Sequence, residues 1–285
     1  MNAVISPAST EPRGFAPDDR REPVLLLHAS ASSALQWRAL ADRLGARFRV
    51  LAPDLYGYGS GPAWPGHRAF ALADEAALVA AQAERLGQPV HVVGHDYGGA
   101  VALHIARTRP ALVRSLSLYE PAAFHLLRGG DPQDEAALAQ VAGIAGAVAH
   151  SLSTGDYAGG AEQFTDSWGG EGAWSGLPPA RQAEAAACMA KVALDLHAEM
   201  REAATPAELE RLGIPTLLMR GDQSPPPFQR VFRRLDRAMR DRLHTESLRG
   251  AGHMGPVTHR DGVNAWIAAH LEACAGARRL SAARG

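Results

Sequence analysis

Apolar residues along this chain fall into two rhythms. One is the short, nearly unbroken run: Val24-Leu25-Leu26-Leu27, Phe48 to Ala52, Val90 to Val93 and Thr216 to Met219. Such a run suits a strand in the middle of a parallel sheet, because both of its faces are covered and neither can be left polar. The other rhythm sets apolar positions three and four apart. Leu72, Ala76, Val79, Ala83 and Leu86 follow it and stop at Gly87, which predicts a one-faced helix with a glycine just past its end. A strand at 24–28, a helix over 35–44, a strand at 48–52, this helix, a strand from Val90, a helix to about Arg107 and a strand over 112–119 thus alternate. The fold class this predicts is α/β, a mostly parallel sheet with helices on both faces.

The alternation breaks after Pro121. From 122 to 212 no strand is predicted, and Ala185, Met189, Val192, Leu196 and Met200 mark one face of a helix within Arg181–Ala203. Strands return at 215–220 and 243–248, around a helix whose buried stripe is Phe228, Phe232, Leu235 and Met239, and a last helix covers 260–273. The expected organisation is a core of residues 23–121 and 213–274, an inserted helical cap of 122–212, and flexible ends at 1–22 and 275–285. The glycine-rich stretch from Trp168 to Trp174 reads as a mobile lid loop.

Composition narrows the function classes. With 46% hydrophobic and 21% charged residues the chain is ordinary for a globular protein, and a net charge of −1 gives no reason to expect nucleic acid as a partner. Its two cysteines, Cys188 and Cys274, make no disulfide framework, and its twelve histidines fall into no metal-ligand spacing, so neither a metal nor another cofactor is expected. No run approaches about 18 apolar residues, and residues 1–22 carry no apolar signal segment, so the expectation is a cytoplasmic protein that engages no membrane.

The chemistry concentrates in Val90-His91-Val92-Val93-Gly94-His95-Asp96-Tyr97-Gly98-Gly99. A strand that stops at a glycine, a polar residue two positions later, two more glycines and then a helix former spell a sharp strand–turn–helix elbow with Asp96 at its tip. The helix dipole and backbone N–H groups there favour an ionised carboxylate. Attack by a carboxylate on an ester would give an anhydride, more reactive than the ester itself. Attack on an sp³ carbon bearing an epoxide oxygen or a halide gives a stable alkyl-enzyme ester, which histidine-activated water can then hydrolyse.

From Val24 to Leu271 the chain resembles the α/β-hydrolase family. The resemblance rests on four features in order: the small-residue loop Ala29–Ser33 after His28, the Asp54…Gly57-Tyr58-Gly59-Ser60 turn, the elbow, and Gly252-His253. It implies Asp96 as nucleophile, as in epoxide hydrolases and haloalkane dehalogenases, and His253 as base. For the orienting acid the family often uses a Gly-x-x-Asp turn; here Gly221-Asp222-Gln223-Ser224 puts a serine in that place. Asp222 in the same turn and Glu120, where one branch of haloalkane dehalogenases carries its acid, are the two candidates, with Glu120 preferred on that precedent. The oxyanion hole implied is the backbone N–H of Tyr97 with that of Ala29 or Ser30.

Several positions depart from the Asp-nucleophile subfamilies. The His28-Ala29-Ser30-Ala31 loop looks closer to serine esterases and C–C bond hydrolases. Tyr157 is the only tyrosine between Ala122 and Leu212, where epoxide hydrolases use two; Tyr97 stands where dehalogenases carry tryptophan; Arg107 and Arg109 lie a helix away from the elbow. The family's two leading antiparallel strands reduce here to an Ala3-Val4-Ile5 candidate. His28, His150, Tyr157, Trp168 and Trp174 are candidates to hold substrate or leaving group. The resulting reading is a monomeric or homodimeric hydrolase of a mid-sized, mostly apolar small molecule, with epoxide opening ahead of dehalogenation. The alternatives are an esterase-like relative turned to cyclisation or isomerisation, and a small-molecule receptor.

Overall fold

The computed structural model describes residues 19–66 and 68–282, with side chains through residue 276. Six parallel strands form one sheet: β1 (Pro23–Leu27), β2 (Arg49–Leu51), β3 (Val90–His95), β4 (Val113–Tyr119), β5 (Thr216–Gly221) and β6 (Leu243–Leu248), in the order β2-β1-β3-β4-β5-β6. The apolar runs of β1 and β3 are buried on both faces, as their lack of alternation requires. Helices α1 (Arg38–Leu44), α2 (Leu72–Glu84) and α3 (Tyr97–Thr108) follow the first three strands. Between β4 and β5 come only helices: α4 (Pro132–Thr154), α5 (Tyr157–Gly169), α6 (Pro179–Ala187), α7 (Met189–Arg201) and α8 (Pro206–Glu210), besides short 3₁₀ turns. The chain closes with α9 (Pro226–Ala238), α10 (Gly255–Thr258) and α11 (Arg260–Ala282).

Two apolar cores flank the sheet. One joins α2, α3, α9 and the inserted helices through residues such as Val101, Phe124, Val141, Phe164 and Val192; the other joins α1 and α11 through Trp37, Leu40, Val263 and Ile267. Because all six strands run the same way, their C-terminal ends share one edge, where such sheets build their sites. The register pairs His95 with Tyr119 and Tyr119 with Met219. The residues that follow those strands, Asp96, Glu120 and the 221–224 turn, therefore emerge side by side.

Some sequence expectations change. Among the described residues the sheet is purely parallel, and the Ala3-Val4-Ile5 candidate lies outside them. The last helix continues past the expected end at 273 to Ala282. Trp168 belongs to the end of α5 rather than to a lid loop, and the turn after it is held by Asp166, which accepts from the N–H of Trp174 at 2.7 Å and of Gly172 at 3.3 Å. Contrary to the count of apolar runs, α4 is long and apolar enough, with a mean hydropathy of 1.3, to cross a membrane by length and composition. Its helical packing here is against α5, α7 and α9, and its buried Asp134 pairs with Arg230 and Arg234 of α9.

Candidate active site

The elbow is built by glycines that admit backbone where side chains would collide. A Cβ on Gly94 would lie 2.6 Å from the Gly98 carbonyl oxygen, and one on Gly98 would lie 2.5 Å from that of Leu27. Asp96 between them is held at φ 54°. Three non-glycine residues among those described have positive φ: Ala31, Asp96 and Glu120. All three lie at this one edge of the sheet. Strained backbone of this kind persists only where surrounding structure over-determines it, and it gathers at functional sites.

His253 lies in the loop after β6, and its two ring nitrogens face different carboxylates. Nδ1 is 2.9 Å from Glu120 Oε2, and Nε2 is 3.7 Å from Asp96 Oδ1. The first is a hydrogen bond in which the ring N–H donates; the second is too long for one. Glu120 is fully committed to this role: its other oxygen accepts from the Gly221 N–H at 2.7 Å and from the Ser224 hydroxyl. The serine in the turn position usual for the acid thus supports the acid that stands on β4 instead. Asp222 faces away, exposed, accepting from the Gly250 N–H at 2.8 Å. Of the two acid candidates, the geometry joins only Glu120 to His253.

The imidazole is further fixed by its neighbours. Phe228 of α9 stacks on it, with ring centroids 3.9 Å apart and planes at 12°. A chain of polar contacts ties its backbone to the small-residue loop. The Ala29 N–H donates to Gln36 Oε1 at 3.2 Å, Gln36 Nε2 donates to His95 Nδ1 at 3.0 Å, and His95 Nε2 donates to the His253 carbonyl at 3.0 Å. Burial, with the neighbouring His253, holds His95 well below the usual histidine range, which keeps it neutral in this relay.

The same relay distinguishes the two loop N–H groups that are candidates for an oxyanion hole. The Ala29 N–H is engaged by Gln36, whereas the Ser30 N–H donates to Asp96 Oδ2 at 3.1 Å. Burial raises the Asp96 carboxyl above its ordinary value, opposed by His253 and by the N–H groups of Tyr97 and Ser30. At the elbow tip, burial thus outweighs the backbone amides that favour the ionised carboxylate.

A cavity of about 1220 Å³ opens at Asp96 and His253. Its walls come from the 29–33 loop, from Pro225 and Val257 on the core side, and from Phe164, Trp168, Leu177 and Ala185 of the insert. Trp168 is the one substrate-contact candidate that both lines this cavity and packs toward the imidazole, 6.2 Å between centroids. His28 is fully buried with both nitrogens taken, Nδ1 by the Ala29 carbonyl at 2.8 Å and Nε2 by the Leu55 N–H at 3.1 Å; burial lowers it to about 4. It shapes the loop and does not face substrate. Tyr157, 47% exposed at the start of α5, and His150, exposed near the end of α4, lie off the cavity, as does half-buried Trp174, which packs into the core. Arg107 is turned away from the elbow, to Glu202 and Glu208.

What the sequence reading missed is polar and on α7. Lys191, Asp195 and Glu199 are spaced four apart, hence on one helix face, and all are buried. The apolar stripe Val192, Leu196, Met200 on the same helix hid them, although a charged residue every fourth position beside such a stripe was visible as a pattern. Burial first, then the charges of Asp96 and Asp195, push Glu199 well above the ordinary glutamate range.

Comparison with known proteins agrees with this architecture. The model of the alpha/beta hydrolase family matches residues 24–266, and the chain belongs to that family. Lipase LipV of Mycobacterium tuberculosis is 38% identical over 100 residues, covering 35% of this chain and 37% of the lipase. A soluble epoxide hydrolase of Corynebacterium sp. is 34% identical over 112 residues, 38% of this chain and 37% of that one. The chain therefore spans little more than a third of the length of these curated relatives. MenH from S. aureus superposes with a TM-score of 0.72 over 89% of this chain and 94% of its own, at 15% identity, a likeness of fold alone.

Proposed function

We propose that the protein is a hydrolase that uses Asp96 as a nucleophile toward an sp³ carbon carrying an epoxide oxygen or a halogen. One observation carries the reading. Asp96 Oδ2 is already held by the Ser30 N–H, while Oδ1 faces Nε2 of His253 across 3.7 Å, wider than a hydrogen bond. A serine in this place would need its proton removed by that nitrogen at contact distance; a carboxylate needs no base to attack, only to be hydrolysed afterwards.

In the first step Oδ1 bonds to carbon and the carbon–oxygen or carbon–halogen bond breaks, its electron pair leaving with the heteroatom; a halide departs as the anion, and the alkoxide of an opened epoxide takes a proton from solvent water. In the second, water adds to the Asp96 carboxyl carbon as its proton passes to His253 Nε2, and charge gathers on Oδ2 beside the Ser30 and Tyr97 N–H groups. Collapse releases the alcohol, which takes the proton back from His253, and the Asp96 carboxyl gives up its remaining proton to solvent to restore the carboxylate. Glu120 accepts from Nδ1 throughout, fixing the tautomer and stabilising the imidazolium. The aromatic and aliphatic cavity wall suits a mid-sized apolar substrate.

Tyr157, the candidate proton donor to an opening epoxide, lies off the cavity, so what favours an epoxide over a halide is that tyrosine, not a tryptophan to clamp the leaving halide, follows Asp96. The local similarities, to a lipase at 38% identity and to a soluble epoxide hydrolase at 34%, are of the same kind and extent and favour neither class over the other. The test is to expose the His253→Gln variant to styrene oxide and to 1-bromohexane and weigh the intact protein. A covalent adduct of the substrate's alkyl group that is lost in Asp96→Asn supports the reading, and no adduct with either reagent contradicts it.

A further inference from the structure

A closed ring of contacts surrounds the oxyanion hole. From Asp96 Oδ2 it runs to the Ser30 N–H at 3.1 Å, and from the Ser30 hydroxyl, which donates, to Asp195 Oδ2 at 2.7 Å. Asp195 Oδ1 accepts from Lys191 Nζ, which lies 3.1 Å from Glu75 Oε2. That oxygen accepts in turn from the Tyr97 hydroxyl at 3.2 Å, and Tyr97 is bonded to Asp96. The Tyr58 hydroxyl donates to Asp195 Oδ2 as well, and the Tyr56 N–H to Glu75 Oε1 at 2.9 Å. Lys191 Nζ also sits over the Tyr97 ring, 4.4 Å from its centroid. Lys191, Asp195, Glu75, Tyr58 and Tyr97 are all buried.

An ion cluster in such a place costs desolvation energy, and a well-packed apolar cluster would serve stability at least as well. Its connectivity gives it another use. Both residues whose N–H groups form the hole, Ser30 and Tyr97, are gripped by their side chains at opposite ends of one Lys191-centred bridge. Two of the bridge's residues, Lys191 and Asp195, belong to the inserted helix α7, not to the core that carries Asp96.

We propose that Ser30 and Asp195, with Lys191 behind them, are positioning residues through which α7 aims the Ser30 N–H at Asp96 Oδ2. The inference rests on the alkyl-enzyme reading above and assigns the positioning to one of its two steps. During alkylation the carboxylate loses its negative charge, so a donor on Oδ2 favours the starting state at least as much as the transition state. During hydrolysis charge returns to that same oxygen, and a preorganised donor stabilises it where it develops. Loosening the Ser30 tether therefore slows hydrolysis and spares alkylation.

The experiment is rapid-quench intact mass spectrometry of wild type, Ser30→Ala, Ser30→Thr, Asp195→Asn and the double variant Ser30→Ala with Asp195→Asn, with styrene oxide, alongside thermal unfolding of each. Ser30→Ala keeps the backbone N–H and loses only the tether. We expect its hydrolysis rate constant to fall about ten- to a hundred-fold, less than complete loss of such a donor costs, with the alkylation rate constant within about three-fold and adduct accumulating. Ser30→Thr, which keeps a hydroxyl, restores hydrolysis, and Asp195→Asn added to Ser30→Ala slows it little further. Equal effects on both steps, no effect, or a fall in melting temperature without a shift between steps would overturn the positioning role while leaving the alkyl-enzyme intact. No adduct in His253→Gln or in any of these proteins would overturn the parent reading and this one with it.

Discussion

Glu120 Oε2 lies 2.9 Å from His253 Nδ1, and the Ser224 hydroxyl donates to the same carboxyl from its far side. The carboxylate at the end of β4 thus reaches the imidazole, and the serine of the turn after β5 helps hold it. Glu120→Gln should therefore lower kcat by about 10³–10⁴-fold, the scale seen when an orienting carboxylate is replaced by its amide. Asp222→Asn, which touches only the Gly250 N–H, should leave kcat within about two-fold. Steady-state rates of the two variants decide this, and equal losses would contradict it.

The cavity wall makes a paired prediction. Trp168→Ala removes an aromatic face beside the imidazole and should cut kcat/KM by about ten-fold or more through lost apolar burial of substrate. Tyr157→Phe, off the cavity, should leave kcat/KM unchanged. Loss of activity in Tyr157→Phe would return that hydroxyl to the chemistry.

Glu199 should reveal itself in the pH dependence of stability. Its folded pKa is raised, so the folded state holds the proton more tightly than the unfolded chain does. The associated stability is whole below about 4.5 and is lost as pH rises from there through the folded value. Glu199→Gln removes the dependence. Its gain in stability over wild type should grow with pH, by at most about 1.4 kcal/mol per pH unit, in urea unfolding at pH 5, 6.5 and 8. Parallel curves would contradict the buried, neutral carboxyl.

Glu202 has the opposite sign. Burial alone would raise it, but the hydrogen bond and charge of His104, with Arg107 and the Ala203 N–H, bring it down to about 2. Its stability is present above about 4.5 and is lost as pH falls toward 2. Glu202→Gln should cost about 1–3 kcal/mol at pH 7 and close on wild type only as pH falls to about 2. The measurement is again unfolding against pH, read on the acid side.

Most of the scaffold was legible because its signals are local. The apolar runs of β1 and β3 and the glycines at 94 and 98 specify strand and elbow wherever the rest of the chain lies. The order of the Asp96, Glu120 and His253 segments then placed them at one edge through the parallel register. What was not legible depends on distant packing. Tyr157 and His150 looked like substrate contacts because they sit in the insert, but which way α4 and α5 turn them is decided by the apolar face each helix buries. The Glu75–Lys191–Asp195 bridge joins residues more than a hundred positions apart, and each alone reads as a solvated helix charge. His28 illustrates the converse: at the mouth of a catalytic loop by sequence, it is sealed by two backbone partners.

The central claim is that Asp96 forms a covalent ester that water opens at the aspartate's own carboxyl carbon. The most direct measurement is a single turnover of styrene oxide by excess enzyme in ¹⁸O-water, followed by mass analysis of the peptide that carries Asp96. We expect one ¹⁸O in the Asp96 carboxyl and an unlabelled product. Label in the product with none in Asp96 would mean that water attacks the substrate directly, and it would contradict the claim.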